Sequence, residues 1–344
     1  MTASDDAPAP LPSPLPSPLC ADTSRLTDGS VLFDLTGRGR LEILGPDRVS
    51  FLQGVVTNDV KGLAPGKGCD ALLLTPKGKL RATMTIQAMP DRLLLDTEPE
   101  LALPLEAALR AYIVYPPVEL ANRTEETALL HLEGTGAAVL LASVGITQLP
   151  AAAHDHLPFS LAGAPGTISS ESRAGFPGFD LSILRDEAAS VSAALLAAGA
   201  AAGDNDILEV GRIEAGLPRW GTELDGSVLP EEAGLNRTAV STTKGCYVGQ
   251  EIVARLKTYG HVNRLLVRLR LPSGSVPARG DAVVTRDGEA PVGTIVSSVE
   301  SARLGTCLAF AWVKREQAAA RLGVTALTRG GAVPAEILAP SVAG

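Results

Sequence analysis

The residues best able to do chemistry in this chain crowd into eight positions, Lys244-Gly245-Cys246-Tyr247-Val248-Gly249-Gln250-Glu251, with Arg255 one helical turn beyond. A thiol stands near an ammonium, flanked by two glycines, an amide and a carboxylate. Ile252, Val253 and Leu256 recur at helical spacing and Gly260 supplies a stop, so Cys246 is expected just before a helix N-terminus. Unsatisfied backbone N–H groups there, together with Lys244, favour a thiolate. Gly245 and Gly249 let a ligand or partner approach the backbone closely. A second reading stays open on residue types: a tight turn whose cysteine is a small buried apolar residue.

Lys-Gly-Cys-Tyr-x-Gly-Gln-Glu resembles the signature of the YgfZ family of folate-binding proteins, with all eight positions fitting. Phe51-Leu52-Gln53-Gly54 with Thr57-Asn58-Asp59-Val60 resembles that family's N-terminal motif, and Arg212-Ile213-Glu214-Ala215-Gly216-Leu217-Pro218 resembles the Arg-x-Glu-x-Gly segment of the wider aminomethyltransferase group. The resemblance runs from roughly residue 30 to 340. It implies a tetrahydrofolate-linked factor supporting iron–sulfur enzymes, built as a structural cousin of the glycine-cleavage aminomethyltransferase.

Composition narrows the classes. With 344 residues, 45% hydrophobic and 20% charged, the chain is long enough for two or three cored domains. A net charge of −8 argues against binding along a phosphate backbone. The four cysteines, Cys20, Cys69, Cys246 and Cys307, form no Cys-x-x-Cys pair, so neither a self-contained cluster nor a structural zinc is expected. Nothing resembles a signal peptide or a membrane span. Reduced thiols and a cytoplasmic location follow as expectations.

These residues need a scaffold to position them. Residues 1–22 read as a disordered Pro/Ala-rich tail. A first α+β subdomain is expected over 23–115, with strands at 70–75, 80–88 and 92–96 and a helix from 98 to 114. A second, over 116–262, carries the Cys246 motif, so that two βαβ-like cycles form a duplicated α+β body. His154-Asp155-His156 reads as a solvated loop with no third ligand nearby. A helix from Leu208 closes at Gly216, and the irregular stretch 217–243 joins it to the Cys246 motif; stretches of that length are usually functional. Regularly spaced short strands over 263–341 predict a small C-terminal β-barrel, which the resemblance also implies.

The resemblance assigns the pterin-contacting carboxylate to Glu214, since one carboxylate can accept from a ring N–H and an adjacent amino group together. Pairing of Glu214 with Arg212 or a neighbour is the other reading. Trp220 is placed to stack on an aromatic ring, and Arg255 or Arg264 to meet the glutamate tail. Lys244, Gly245, Tyr247, Gly249, Gln250 and Glu251 complete the expected cofactor-binding set, with Cys246 as working thiol. Aminomethyltransferases are implied to carry an acid after an early Gly-Gly turn. The matching stretch here, Gly78-Lys79-Leu80-Arg81-Ala82-Thr83, has two cations and no carboxylate, and Asp70 is the nearest acid.

The expectation is therefore a folate-binding accessory protein for assembly or repair of iron–sulfur clusters in client enzymes, rather than an enzyme. One thiol cannot hold a cluster, so a client or assembly protein must complete the ligation. The alternative is a tetrahydrofolate-dependent aminomethyl or one-carbon transferase. A plain folate-binding module is a third reading.

Overall fold

The structure is a computed structural model that describes residues 19–113, 118–321 and 323–338. The chain opens with β1 (Leu19–Ala21), α1 (Ser24–Asp28), β2 (Val31–Asp34), β3 (Gly39–Leu44) and α2 (Arg48–Val55). There follow β4 (Gly68–Leu74), β5 (Leu80–Ala88), β6 (Leu93–Thr97), α3 (Ala102–Arg110) and β7 (Glu119–Asn122). The middle of the chain holds β8 (Thr127–Glu133), α4 (Ala137–Ser143), β9 (His156–Leu161), β10 (Ala164–Ser170), β11 (Gly178–Leu184), α5 (Ala188–Ala197), β12 (Ala201–Ala202) and α6 (Asn205–Ala215). After the irregular stretch come α7 (Gln250–Tyr259), β13 (Arg264–Pro272), β14 (Ala282–Thr285), β15 (Pro291–Ser301), β16 (Thr306–Lys314), α8 (Arg315–Ala320), β17 (Val324–Thr328) and β18 (Gly331–Ile337).

An α+β body precedes a barrel, as the sequence predicts. The first sheet orders β4-β5-β6-β3-β7 and the second β12-β2-β8-β11-β10-β9, with antiparallel pairing except at the β12–β2 edge. The two sheets exchange chain. Val31–Asp34 pairs with β8 in the second sheet, while Glu119–Asn122 returns to pair with β3 in the first, so sheet membership does not follow the expected division near residue 115. In the barrel, β15-β14-β17-β18-β13-β16 closes by pairing β15 with β16, which leaves no open edge along the ring.

Residues 1–18 of the expected tail lie outside the described residues. Leu19–Ala21 is not tail: it runs parallel to β15, Leu19 beside Val299 and Ala21 beside Ser301. Leu19 and Ala21 also pack against the cluster between body and barrel.

Alternation along β4 explains how one sheet serves two cores. Ala71 and Leu73 face the first sheet's own core with Leu52, Ile86 and Leu105. Leu72 and Leu74 face the opposite way, into a cluster shared with Val210 and Ile213 of α6 and Phe310 of the barrel. Helix α6 is well delimited. Asp204 caps its start through the Ile207 N–H, and Gly216, at φ +81°, ends it in the left-handed conformation that favours glycine. Among the described residues no helix is long and apolar enough to cross a membrane.

Candidate functional site

The two motifs at opposite ends of the body meet. The Lys244 ammonium donates to the carbonyls of Gln53 and Val56 at 2.6 Å and of Asn58 at 2.9 Å. Three N–H donors thus find three acceptors at the C-terminal end of α2, where helix carbonyls lack partners. Burial pushes Lys244 down to about 8, so it still carries its charge at neutral pH, and the carbonyls favour that form. Its charge also lies 5.3 Å from the centre of the Tyr247 ring, which is itself buried. Lys244 is therefore a tether for the loop, its donors spent on carbonyls, and Cys246 stands exposed beside it.

The rest of the N-terminal motif ties the same joint. Thr57 donates to the Ala239 carbonyl at 2.6 Å and accepts from the Leu72 N–H at 2.9 Å. Asn58 donates to the carbonyls of Asp70 and Thr238. The Gln53 carbonyl oxygen of the side chain accepts from the N–H groups of Val60 and Lys61.

Gly249 has φ +81° and precedes α7 as expected, but its missing Cβ serves the chain's own packing. A Cβ there would lie 2.6 Å from the Thr75 carbonyl, and one on Gly78 would lie 2.9 Å from Ile252. The β4–β5 turn and the start of α7 thus interlock through two glycines. Gly245 faces open space. Gln250 is half-buried at the start of α7. Glu251 and Arg255 pair with each other on the exposed face of that helix at 2.9 Å. Arg264 pairs with Glu232 and stacks 4.3 Å from the Trp312 ring.

Glu214 sits at the joint between body and barrel. Its carboxylate accepts from Thr23 at 3.0 Å, from Ser301, and from Arg303 at 2.5 Å. Arg212, also buried, pairs with Glu209 and with Glu223 at 2.9 Å, and Glu223 in turn accepts from Ser297 of β15. The Arg-x-Glu segment therefore links α6 to the barrel at two points.

A cavity of about 210 Å³ lies between the face of the first sheet that carries Asp70, Leu72, Thr83 and Thr85 and the segment from Leu217 to Ala239. Trp220 forms part of its wall, as do Arg38 and Asp96. The irregular stretch thus covers this face of the sheet. Of the expected cofactor-binding residues only Trp220 lines this cavity; Glu214, Arg255, Arg264 and the whole Lys244–Glu251 motif, Cys246 included, do not. A larger depression of about 540 Å³ opens on the barrel near Arg270, Arg286 and Glu336, but it includes no motif residue.

Behind the cavity lies a charged network that sequence reading did not anticipate. Arg38 holds Asp96 at 2.6 Å and Glu98 at 2.8 Å, while Arg40 reaches Asp96 at 3.2 Å. Arg173 bridges Asp96 of the first sheet and Asp180 of the second, at 3.4 and 2.5 Å. His131 lies between Asp180 and Glu133, and Glu133 accepts from the backbone N–H groups of Arg173, Ala174 and Phe176. Burial raises the carboxyl of Asp96, but Arg38, Arg173 and Arg40 outweigh it and hold Asp96 below the usual range. Asp180 is likewise held well below the usual range, because Arg173 and His131 overcome the same burial.

The His154 loop is likewise engaged. His154 lies 3.0 Å from Glu171 and 3.4 Å from Asp70, which corrects the solvated-loop reading. Burial disfavours the imidazolium, but the hydrogen bonds with Asp70 and Glu171 prevail and push His154 up to about 11. Its backbone holds φ +63°, a left-handed conformation uncommon outside glycine. Cys69 is half-buried, and burial pushes its thiol up to about 12. Cys307 is buried in the barrel core.

The GCVT N-terminal domain family matches residues 18–244 and the glycine cleavage T-protein C-terminal barrel domain matches residues 264–342. A chloroplastic protein of Arabidopsis thaliana named as a transferase is 32% identical over 274 residues, covering 78% of this chain; the chain spans 62% of that relative's length. An aminomethyltransferase of Geobacillus kaustophilus is 31% identical over 332 residues, covering 89% of this chain and 85% of the relative. The crystal structure of the glycine cleavage system aminomethyltransferase T from Bartonella henselae superposes with a TM-score of 0.85 at 19% identity, over 96% of this chain and 91% of that one.

Proposed function

Because the chain belongs to the glycine cleavage T-protein family, with its N-terminal domain followed by its barrel, we propose that it binds a folate, tetrahydrofolate or a related form, in the cavity against the first sheet. We propose further that it is of the YgfZ type: a cytoplasmic accessory protein that supports assembly or repair of iron–sulfur clusters in client enzymes. The observation that carries this reading is the exposed Cys246 on a loop that Lys244 anchors to the N-terminal motif. An exposed thiol on a fixed loop suits transient contact with a cluster or with a client's sulfur, the partner supplying the remaining ligands.

The residues present fit a pterin. The cavity of about 210 Å³ falls below the ~300–1,000 Å³ of sites that enclose drug-sized ligands, so it admits one bicyclic ring and leaves the rest of a folate outside. Trp220, Leu72 and Leu224 give it apolar walls, and Asp70 supplies an acid.

One observation favours a second reading, one-carbon transfer. The β5 positions that line the cavity are Thr83, Met84 and Thr85, none of them an acid, yet Asp70 lies directly across from Thr85 in the ladder and lines the same space. A carboxylate is thus available near a bound ring.

Complementation separates the two. Cells lacking the protein are given the wild type or Cys246→Ala, and the activities of iron–sulfur enzymes are measured. Restoration by wild type alone supports the accessory reading. Equal restoration by both removes the thiol from the function, and turnover of tetrahydrofolate with an aminomethyl donor then becomes the assay that decides for transfer.

A further inference from the structure

The acids around the cavity are not equivalent. Asp96 is saturated by Arg38, Arg40 and Arg173, with only 4% of its side chain exposed. Glu98 is paired with Arg38 at 2.8 Å. Glu214 spends its oxygens on Thr23, Ser301 and Arg303 and does not reach the cavity. Asp70 differs. One oxygen accepts from Thr85 at 3.2 Å, the other faces His154 at 3.4 Å, and 40% of its side chain stays open. An ionised carboxylate offers about four acceptor positions, so Asp70 keeps capacity on its cavity side.

Its support is built in. His154 is fixed from behind by Glu171 and by an N–H bond to the Ser170 carbonyl. Gly68 at the start of β4 allows the close approach, since a Cβ there would lie 2.7 Å from the His154 carbonyl. The left-handed backbone at His154 is a strained arrangement of the kind that gathers at functional sites. A single imidazolium is shared by two carboxylates, which leaves the Asp70 side electron-rich and suited to donors.

Resting on the folate reading above, the geometry points to Asp70 as the carboxylate that recognises the ligand, accepting from a ring N–H and an adjacent exocyclic amino group on one edge of a flat bicyclic heterocycle. Thr85 and His154 are its positioning residues. The neighbouring Leu72, Leu224 and Trp220 supply the apolar faces against which the ring lies.

The test is calorimetric binding to the full chain of 5-formyltetrahydrofolate and of its analogue lacking the 2-amino group. The wild type is expected to bind the parent about 10- to 100-fold more tightly, as loss of a charge-assisted hydrogen bond implies. Asp70→Asn is expected to bind the parent weakly and to lose most of that discrimination. Thr85→Val, which keeps the carboxylate but frees its orientation, is expected to lose about threefold to tenfold; if Asp70→Asn does not fold, this variant decides. Wild-type binding with unchanged affinity and discrimination in Asp70→Asn, or no loss in Thr85→Val, overturns the assignment and leaves the folate reading standing. Absence of binding by the wild type refutes the folate reading and the assignment together.

Discussion

Replacing Lys244 by methionine keeps most of the side chain's length and removes only the ammonium. Three hydrogen bonds are lost, to Gln53, Val56 and Asn58. Bonds to a charged group contribute about 1.5–3 kcal/mol each where well buried. Lys244 is half-buried, so the lower end applies, and water can reach part of what is freed. The expected destabilisation is about 3 kcal/mol, or roughly 6–12 °C in the melting temperature of a unit of 150–250 residues. Calorimetry or dye-monitored melting reads it directly. Lys244→Arg should not rescue, because a planar fork cannot point at three converging carbonyls. The companion assay is the rate of Cys246 alkylation at neutral pH, followed by peptide mass spectrometry. If Lys244 tethers the loop, loosening it leaves that rate unchanged or raises it. A melting temperature unchanged within error, with alkylation slowed tenfold or more, would refute the tether and make Lys244 the counter-ion of a thiolate.

Arg173→Met strips the bridge between Asp96 and Asp180 and leaves both carboxylates buried with fewer partners, which should cost about 3–5 kcal/mol and lower the urea midpoint accordingly. Gly249→Ala forces a side chain into a left-handed position against the Thr75 carbonyl; a cost of about 1–3 kcal/mol should appear as faster amide exchange within α7. His154→Gln tests linkage. With its folded value raised to about 11, the imidazolium's stabilisation is complete below about 6.5 and drains away as pH rises toward 11. The melting gap between wild type and variant should therefore narrow from pH 6 to pH 10, and a constant gap would show that the charge is not what matters. Glu214→Gln should speed amide exchange in β1 and β15, which its carboxylate joins to α6; unchanged exchange would mean that apolar packing alone docks the barrel.

The first sheet was legible because its strands alternate or run apolar between strong turns, Pro76-Lys77-Gly78 being one. The barrel was legible for the same reason. The β9–β10 hairpin was not. Pro158 and Pro165 argue against strands, and its turn places Ala162, at φ +54°, where asparagine or glycine would have announced it. Register across sheets was equally hidden. Nothing local says that Asp96 and Asp180 share Arg173, or that Asp70 and Glu171 close on His154, because these pairs exist only after β4, β6 and β11 have found their places. His154 read as a loop residue for want of a nearby partner in sequence. The signal that could have raised it is weak: three polar, titratable residues between two Ala- or Pro-containing runs. The motifs themselves were easy to find, while the work of individual members was not. Lys244, Gly249 and Glu214 carry chemistry by type, and each is used by the structure to hold the chain together.

That use explains why Arg212 and Glu214 stand two residues apart. On a helix that spacing turns the side chains about 200° from each other, so they leave α6 on different sides. Arg212 meets Glu209 and Glu223, through which it reaches Ser297; Glu214 meets Ser301 and Arg303. Both contacts end on β15 or just after it, and β1 lies alongside at Ser301. Buried ion pairs gain little over apolar packing, so their effect here is in direction more than in strength: two charged pairs at separate points leave α6 one way to sit against the barrel. Leu217 and Trp220 follow α6 directly and line the same cavity as Asp70. Fixing the helix end therefore fixes the wall, and the Arg-x-Glu segment shapes the cavity without touching it.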